Sequence, residues 1–255
     1  MKYGLWLSAG GLQVNEYRQS LAANNMANVD TTGFKHDLAV IHERRIQSAA
    51  GTADGSFAHP LLDGLSGGAW VRPTYTSFAQ GALEETGRAL DAALVGKGFF
   101  TVADGDKTCY TRDGRFVTNN VGELVLAAGD GKFRVLDAGG APVQIDPALG
   151  EVHIGDEGTV SQAGTVVARL GLADFDDPAD LRKIGNSVFA NVGGAEPAAV
   201  TPQVKGGFVE RSTVNPISAL TNMIEVTRAY ELNARMISLQ DETLGQAVTR
   251  IGNIG

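Results

Sequence analysis

Asn215-Pro216-Ile217-Ser218-Ala219-Leu220-Thr221-Asn222-Met223-Ile224-Glu225-Val226-Thr227-Arg228-Ala229-Tyr230-Glu231-Leu232-Asn233 is the stretch that decides the fold. Asn followed by Pro suits a helix N-cap with proline at the first helical position, where the missing N–H is no loss. From there one line of residues returns at alternating steps of three and four: Leu220, Met223, Thr227, Tyr230, Ala234, Ile237, Asp241, Leu244, Val248 and Ile251. That spacing keeps one side of a helix turned to a partner and predicts a coiled-coil contact. Thr227 and Asp241 weaken the line, so a tight isolated dimer is not expected. The other reading is an ordinary helix lying on a globular core. Against it stands length: at the helical rise the segment would run roughly 54 Å, more than a small domain needs.

The other end of the chain reads the same way. From about Tyr3 to Asn28 no proline interrupts, and Gly10-Gly11 is the one helix-weakening pair. Apolar residues fall on two adjoining stripes, Leu5, Leu12 and Met26 on one and Leu7, Val14, Tyr17 and Leu21 on the other. Asp30-Thr31-Thr32-Gly33 then supplies turn formers that end the helix. The expected rod is roughly 39 Å long.

Between the helices the texture changes. There are 33 glycines in 255 residues, about twice the usual share, which points to many tight turns. Short β-type runs such as Gly98-Phe99-Phe100-Thr101-Val102, Arg115-Phe116-Val117-Thr118, Glu123-Leu124-Val125-Leu126 and Ala168-Arg169-Leu170-Gly171-Leu172 alternate with Asp104-Gly105, Asp113-Gly114 and Asp130-Gly131. This is the pattern of hairpins, with Phe99, Phe116, Leu124 and Leu172 expected inside. The chain is therefore α+β: N- and C-terminal helices forming a coiled-coil-like pair, with an inserted mainly β domain. The expected divisions are an assembly helix over 1–30, an extended linker or β-hairpin region over 31–83, a β-rich outer domain over 84–210 and a second assembly helix over 211–255.

Composition narrows the function. Hydrophobic residues at 43% and charged residues at 20% allow a buried core. A net charge of −8 leaves no basic surface to neutralise phosphates, which excludes a nucleic-acid partner. The single cysteine, Cys109, cannot form an intrachain disulfide and reads as a small strand residue. The apolar run Tyr3–Leu7 is too short for a secretory signal, and no segment approaches a membrane span, so no membrane insertion is expected.

No catalytic constellation emerges. Gly64-Leu65-Ser66-Gly67-Gly68 fits the nucleophile pattern G-x-S-x-G, but no helix follows and His153 is the one later histidine. Gly96-Lys97-Gly98 lacks the remainder of a phosphate loop, and Asp104-Gly105-Asp106 lacks the later ligands of a calcium loop. His36, His42, His59 and His153 are scattered without metal spacing. Asp176-Asp177 and Glu84-Glu85 read as solvated turns or strand ends. The chain is expected not to be an enzyme, with no cofactor, metal or catalytic residue.

Two end segments carry a resemblance. Ala23-Asn24-Asn25-Met26-Ala27-Asn28-Val29-Asp30-Thr31-Thr32-Gly33-Phe34-Lys35 resembles the N-terminal signature of the flagellar rod and hook protein family. Phe208-Val209-Glu210-Arg211-Ser212-Thr213-Val214-Asn215-Pro216, continued through Met223–Asn233, is similar to its C-terminal one. Leu90–Phe100, Tyr110–Phe116 and Asp156–Ser161 also resemble stretches of the rod proteins, so the likeness runs along essentially the whole chain. Thr213 and Thr227 depart from the usual Asn and Gln. The resemblance implies a structural subunit of the bacterial flagellar rod that polymerises helically into the drive shaft between motor and hook. The distal rod is favoured by the long 36–83 segment and by 228–233, with the proximal rod or hook as alternatives and a secreted oligomeric binding module as the other class. Implied partners are copies of itself, other flagellar rod and hook proteins, the flagellar export apparatus and surrounding ring proteins. The implied location is the basal body, reached without a cleaved signal peptide.

A helix with two apolar stripes buries one in its own chain and offers the other to neighbours, each buried Leu, Val or Met contributing roughly 1.5–3 kcal/mol. The residues expected to carry assembly are Leu5, Leu12, Tyr17, Leu21, Asn24, Asn25, Met26, Asn28, Thr32, Gly33 and Phe34 on the N-terminal side. On the C-terminal side they are Asn215, Leu220, Met223, Ile224, Tyr230, Asn233, Ile237 and Leu244. Amides at 24, 25 and 28 would fix register between subunits. With the second stripe uncovered, the ends of a lone chain are expected to fray and to order on assembly.

Overall fold

The computed structural model describes residues 2–43, 68–72, 74–146, 148–199 and 203–252. The nucleophile-like Gly64-Leu65-Ser66-Gly67 and His59 lie outside the described residues, as does the side chain of Ile251. The chain divides into two compact units, one of residues 1–27, 37–75 and 215–255, the other of 28–36 and 76–214.

The first unit is built on two helices, α1 (Lys2–Ala27) and α2 (Pro216–Gly252), with a hairpin of Ile41–Glu43 against Ala69–Val71. Both helices are continuous over their described residues and cover one another's inner face. They run antiparallel, because Gly4 lies beside Gln240 and Gly11 beside Asn233. Met223, Tyr230, Ile237 and Leu244 are half-buried, where the heptad spacing puts them. Between them the expected Thr227 and Ala234 are half-buried and Asp241 is exposed, while the neighbouring Val226 is buried and Asn233 and Gln240 face Gly11 and Gly4 of α1. Amides stand there because the glycines of α1 leave room for them, which hydrophobic periodicity cannot register. Thr227 is tolerated in mid-helix because its hydroxyl donates back to Met223 O at 2.8 Å.

The second unit is mainly β. Its largest sheet has nine strands among the described residues. The order is Leu181–Gly185, Val188–Asn191, Lys107–Thr111, Phe99–Asp104, Phe133–Val135, Leu124–Leu126 and Phe116–Thr118. Leu172–Asp174 and Ala198–Ala199 branch from the strand Phe99–Asp104. Val152–Ile154, Thr159–Gln162 and Thr165–Arg169 form a separate antiparallel sheet. Phe116, Leu124, Phe100, Val102 and Ile154 sit in one buried cluster against which Leu172 packs from a half-buried position. Phe99, Tyr110, Phe175 and Phe189 form a second cluster of edge-on rings, joined by Phe78.

Two of the three Asp-Gly pairs are turns. Asp130 and Gly131 both take positive φ, 53° and 78°, and Gly105 takes 62°. Gly114 does not. A Cβ there would stand 1.6 Å from Ala92 O, so glycine is required for the close approach of two backbones.

Candidate assembly interface

The helix pair is held by a polar contact in a mostly apolar seam. On α1, Gly4 and Gly11 stand one heptad apart, and a Cβ at Gly11 would meet Asn233 Nδ2 and Oδ1 at 3.2 Å. The Asn233 amide lies in that notch and donates to Ala229 O of its own helix at 3.1 Å. Val226 is buried further along the same line. Leu5, Leu12 and Leu21 are half-buried. Tyr17 is half-buried too and hydrogen-bonds Thr74.

The amides near the end of α1 do local work. Asn25 clamps the backbone of Asp37, donating to its carbonyl at 2.8 Å and accepting from its N–H at 3.0 Å. Asn28 accepts from the Thr31 hydroxyl at 3.1 Å, while Asn24 is exposed and Met26 half-buried. Asn215 caps α2: its Oδ1 accepts from Ile217 N at 3.0 Å and Ser218 N at 3.1 Å, satisfying donors that the first turn leaves open.

Thr32, Gly33 and Phe34 are buried in the β unit beside residues 210–213. Gly33 N donates to Glu210 O at 2.7 Å, and Thr213 N to Phe34 O at 3.0 Å. With φ at 66° and a Cβ position 2.4 Å from Asp113 N, Gly33 admits no side chain.

Next to this contact lies a fully buried ion cluster. Lys35 Nζ is 2.6 Å from Glu210 Oε1 and donates to Ala79 O at 2.7 Å; neither charged side chain is exposed. Arg112 reaches Glu210 Oε2 at 3.3 Å and Gly96 O at 2.8 Å, and Gly81 N donates to Glu210 Oε1 at 2.6 Å. Burial pushes both the Lys35 ammonium and the Arg112 guanidinium below their ordinary pKa, while Glu210 works against the shift in each case. Three separate stretches of chain, those of Lys35, Gly81 and Arg112, converge on the one carboxylate of Glu210.

The first unit also carries a cleft of about 870 Å³ between α1 and the hairpin, lined by Leu5, Leu7, Val14, Tyr17, Trp70 and Arg72 among others, with Trp6 at its rim. The paired helix α2 also leaves Ile217, Leu220, Ile224, Leu232, Met236 and Leu239 exposed.

Sequence comparison finds matches at both ends of the chain and in its middle. Residues 7–35 match the family described as flagella basal body rod protein. Residues 93–162 match the flagellar hook protein FlgE/F/G D1 domain, and 205–250 the flagellar basal body rod FlgEFG protein C-terminal. The flagellar basal-body rod protein FlgF of Caulobacter vibrioides is 39% identical over 237 residues, covering 92% of this chain and 91% of its own. The chain belongs to the flagellar basal-body rod protein family. FlgF of Mesorhizobium japonicum is 34% identical over 255 residues, 99% of each chain. FlgG of Buchnera aphidicola subsp. Schizaphis graminum is 34% identical over 259 residues, 94% of this chain and 96% of its own.

As a member of the rod protein family the chain is a structural component and not an enzyme. The structure brings the matched ends together within each unit: Gly11 with Asn233 in one, Gly33 and Phe34 with Glu210 and Thr213 in the other. Leu220 and Ile224, expected in assembly, point outward from the pair. Lys35, Arg112 and Glu210 were absent from the expected residues. The available signal was their place in the end segments: a Lys and a Glu, each beside a buried apolar residue, 175 positions apart.

Proposed function

We propose that this rod protein polymerises helically, with copies of itself and with other flagellar rod and hook proteins, into the drive shaft that carries motor torque to the hook. The observation that carries this reading is the second apolar stripe of α2, which is exposed over Ile217–Leu239 while the first is covered by α1. An open stripe of that length on a helix already paired calls for a neighbour. Under the same reading the four divisions 1–30, 31–83, 84–210 and 211–255 keep their roles, the terminal helices assembling and the β part stiffening the shaft laterally. Delivery is by the flagellar export apparatus without a cleaved signal peptide, and ring proteins surround the finished rod.

Position along the rod follows two leads. The 36–83 segment favours the distal part. Alignment economy favours the place of FlgF: 255 aligned positions cover 99% of the chain against the Mesorhizobium FlgF, whereas 259 cover 94% against the Buchnera FlgG. The test is a tag in the exposed turn at Ala163-Gly164, imaged by electron microscopy on isolated basal bodies. Label along the rod supports the reading, and its distance from the motor assigns the position. Label on the hook moves the chain outward. Unlabelled basal bodies from motile tagged cells would sink it, and a discrete oligomer in solution would favour a secreted binding module.

A further inference from the structure

We propose that copies of this chain join α2 to α2, the apolar start of the helix in one copy packing on the apolar middle of the helix in the next. Both helices point the same way and are offset by about four turns. The proposal rests on the polymerising role above and names the two surfaces that meet. The exposed face of α2 carries two apolar triplets. Ile217, Leu220 and Ile224 are 77%, 50% and 47% exposed, and Leu232, Met236 and Leu239 are 65%, 48% and 49% exposed. The second triplet repeats the first fifteen positions on, Ile217 answering to Leu232 and Ile224 to Leu239. At roughly 100° per residue the triplets stand about 90° apart around the helix, so they are two patches on neighbouring sides of one exposed face.

Charge selects the orientation. Two arrangements lay one triplet on the other. In the antiparallel one, Ile217 meets Leu239 and Ile224 meets Leu232 of the other copy. That brings Arg228 against Arg228 and Glu225 against Glu231, all of them exposed. In the parallel one, offset by fifteen residues, Ile217 meets Leu232 and Ile224 meets Leu239. Arg228 then falls beside Thr243 and Glu231 beside Gln246, which are exposed and uncharged. The mixed charges of this face therefore oppose the antiparallel contact and leave the parallel one free. The offset is roughly 22 Å at the helical rise. Because the two triplets are different patches, the contact is head to tail and leaves one triplet open at each end. Parallel helices shifted along their axis are related by a screw, which builds an open filament and closes no ring.

The test uses the full chain. Ile224→Lys spoils the first triplet and Leu239→Glu the second; both positions are exposed, and far-UV circular dichroism checks that each variant keeps its helices. Sedimentation should show the critical concentration for polymer raised at least roughly tenfold in either single variant, since each sets an unpaired charge on an apolar patch. An equimolar mixture of the two should return it toward the wild-type value, because in an alternating polymer every contact is apolar on apolar or lysine on glutamate. A second measurement is independent of these charges. In a Cys109→Ala background, Ile224→Cys with Leu239→Cys should oxidise to a ladder of linked copies, since the two thiols of one helix are too far apart to bridge. Wild-type polymerisation by either single variant, a mixture no better than its parts, or a cysteine variant without a ladder overturns the pairing while leaving the rod role intact. A wild-type chain that stops at dimers overturns the offset in favour of the antiparallel arrangement. One that stays monomeric at every concentration overturns the offset and the polymerising role together.

Discussion

Gly11 of α1 faces Asn233 of α2 so closely that a Cβ at position 11 would stand 3.2 Å from two atoms of the amide. Gly4 repeats the relationship with Gln240 one heptad away, at 3.0 Å from Nε2. Glycine in a helix interior costs about 1 kcal/mol relative to alanine, and here the cost allows the helices to approach. Gly11→Leu fills the notch and should lower stability by about 1–3 kcal/mol. Gly11→Ala combined with Asn233→Ala should instead gain about 1 kcal/mol, since propensity is recovered and nothing is displaced. Thermal unfolding followed by circular dichroism reads both, and identical melting of Gly11→Leu and wild type would remove the notch from the account.

Glu210→Gln leaves Lys35 and Arg112 as two buried cations without their shared carboxylate. The expected loss is about 3–5 kcal/mol, visible as a lower urea midpoint. Asp30→Asn breaks the pair between Arg211 and Asp30, whose side chains are 52% and 86% exposed, and should cost under about 1 kcal/mol. Equal losses from the two substitutions would show that the buried cluster contributes nothing special.

Cys109 is buried, and burial followed by the nearby Asp104 pushes its thiol pKa up. The folded chain therefore keeps this proton at a pH where the unfolded chain has lost it. Its contribution to stability is complete below the unfolded pKa and fades as pH rises through the folded one. Burial shifts Tyr110 in the same sense, whereas Lys35 is lowered and acts oppositely in alkali. Cys109→Ala isolates the thiol: between about pH 8 and pH 10 its urea midpoint should fall less than that of the wild type. Alkylation of native Cys109 at pH 8 should be at least roughly tenfold slower than in urea, by mass spectrometry, and a fast native reaction would contradict the shift.

Gly114→Ala should prevent the β unit from folding, because its Cβ would overlap Ala92 O at 1.6 Å with backbone on both sides. Gly164→Asn is the control: φ there is 80°, nothing lies within 4 Å, and asparagine tolerates the left-handed region. Near-ultraviolet dichroism should be lost in the first and kept in the second; retention in both would disprove the overlap.

Much of this was legible beforehand, for reasons that differ by element. The line Met223, Tyr230, Ile237, Leu244 was readable because apolar side chains at steps of seven leave a periodic trace. Val226, Asn233 and Gln240 were not, since the α1 glycines that make an amide acceptable there lie more than two hundred residues earlier. Asp130-Gly131 read correctly as a turn from local chemistry. Asp113-Gly114 has the same two letters but serves a backbone approach from Ala92, which no local rule contains. The strand order of the large sheet, with Leu172–Asp174 pairing back to Phe99–Asp104, is likewise set by non-local packing. Lys35, Arg112 and Glu210 form no spacing pattern at all; their meaning exists only once three distant stretches share one buried point.

The antiparallel register of the helix pair also governs timing. Gly4 and Gly11 are made more than two hundred residues before their partners Gln240 and Asn233. A chain shortened before Asn233 keeps α1 yet loses the surface that α1 was shaped to meet, and it loses the arginine at 235 with it. Only a copy translated through Gln240 possesses the paired helices, so the register ties formation of this unit to completion of both of its helices.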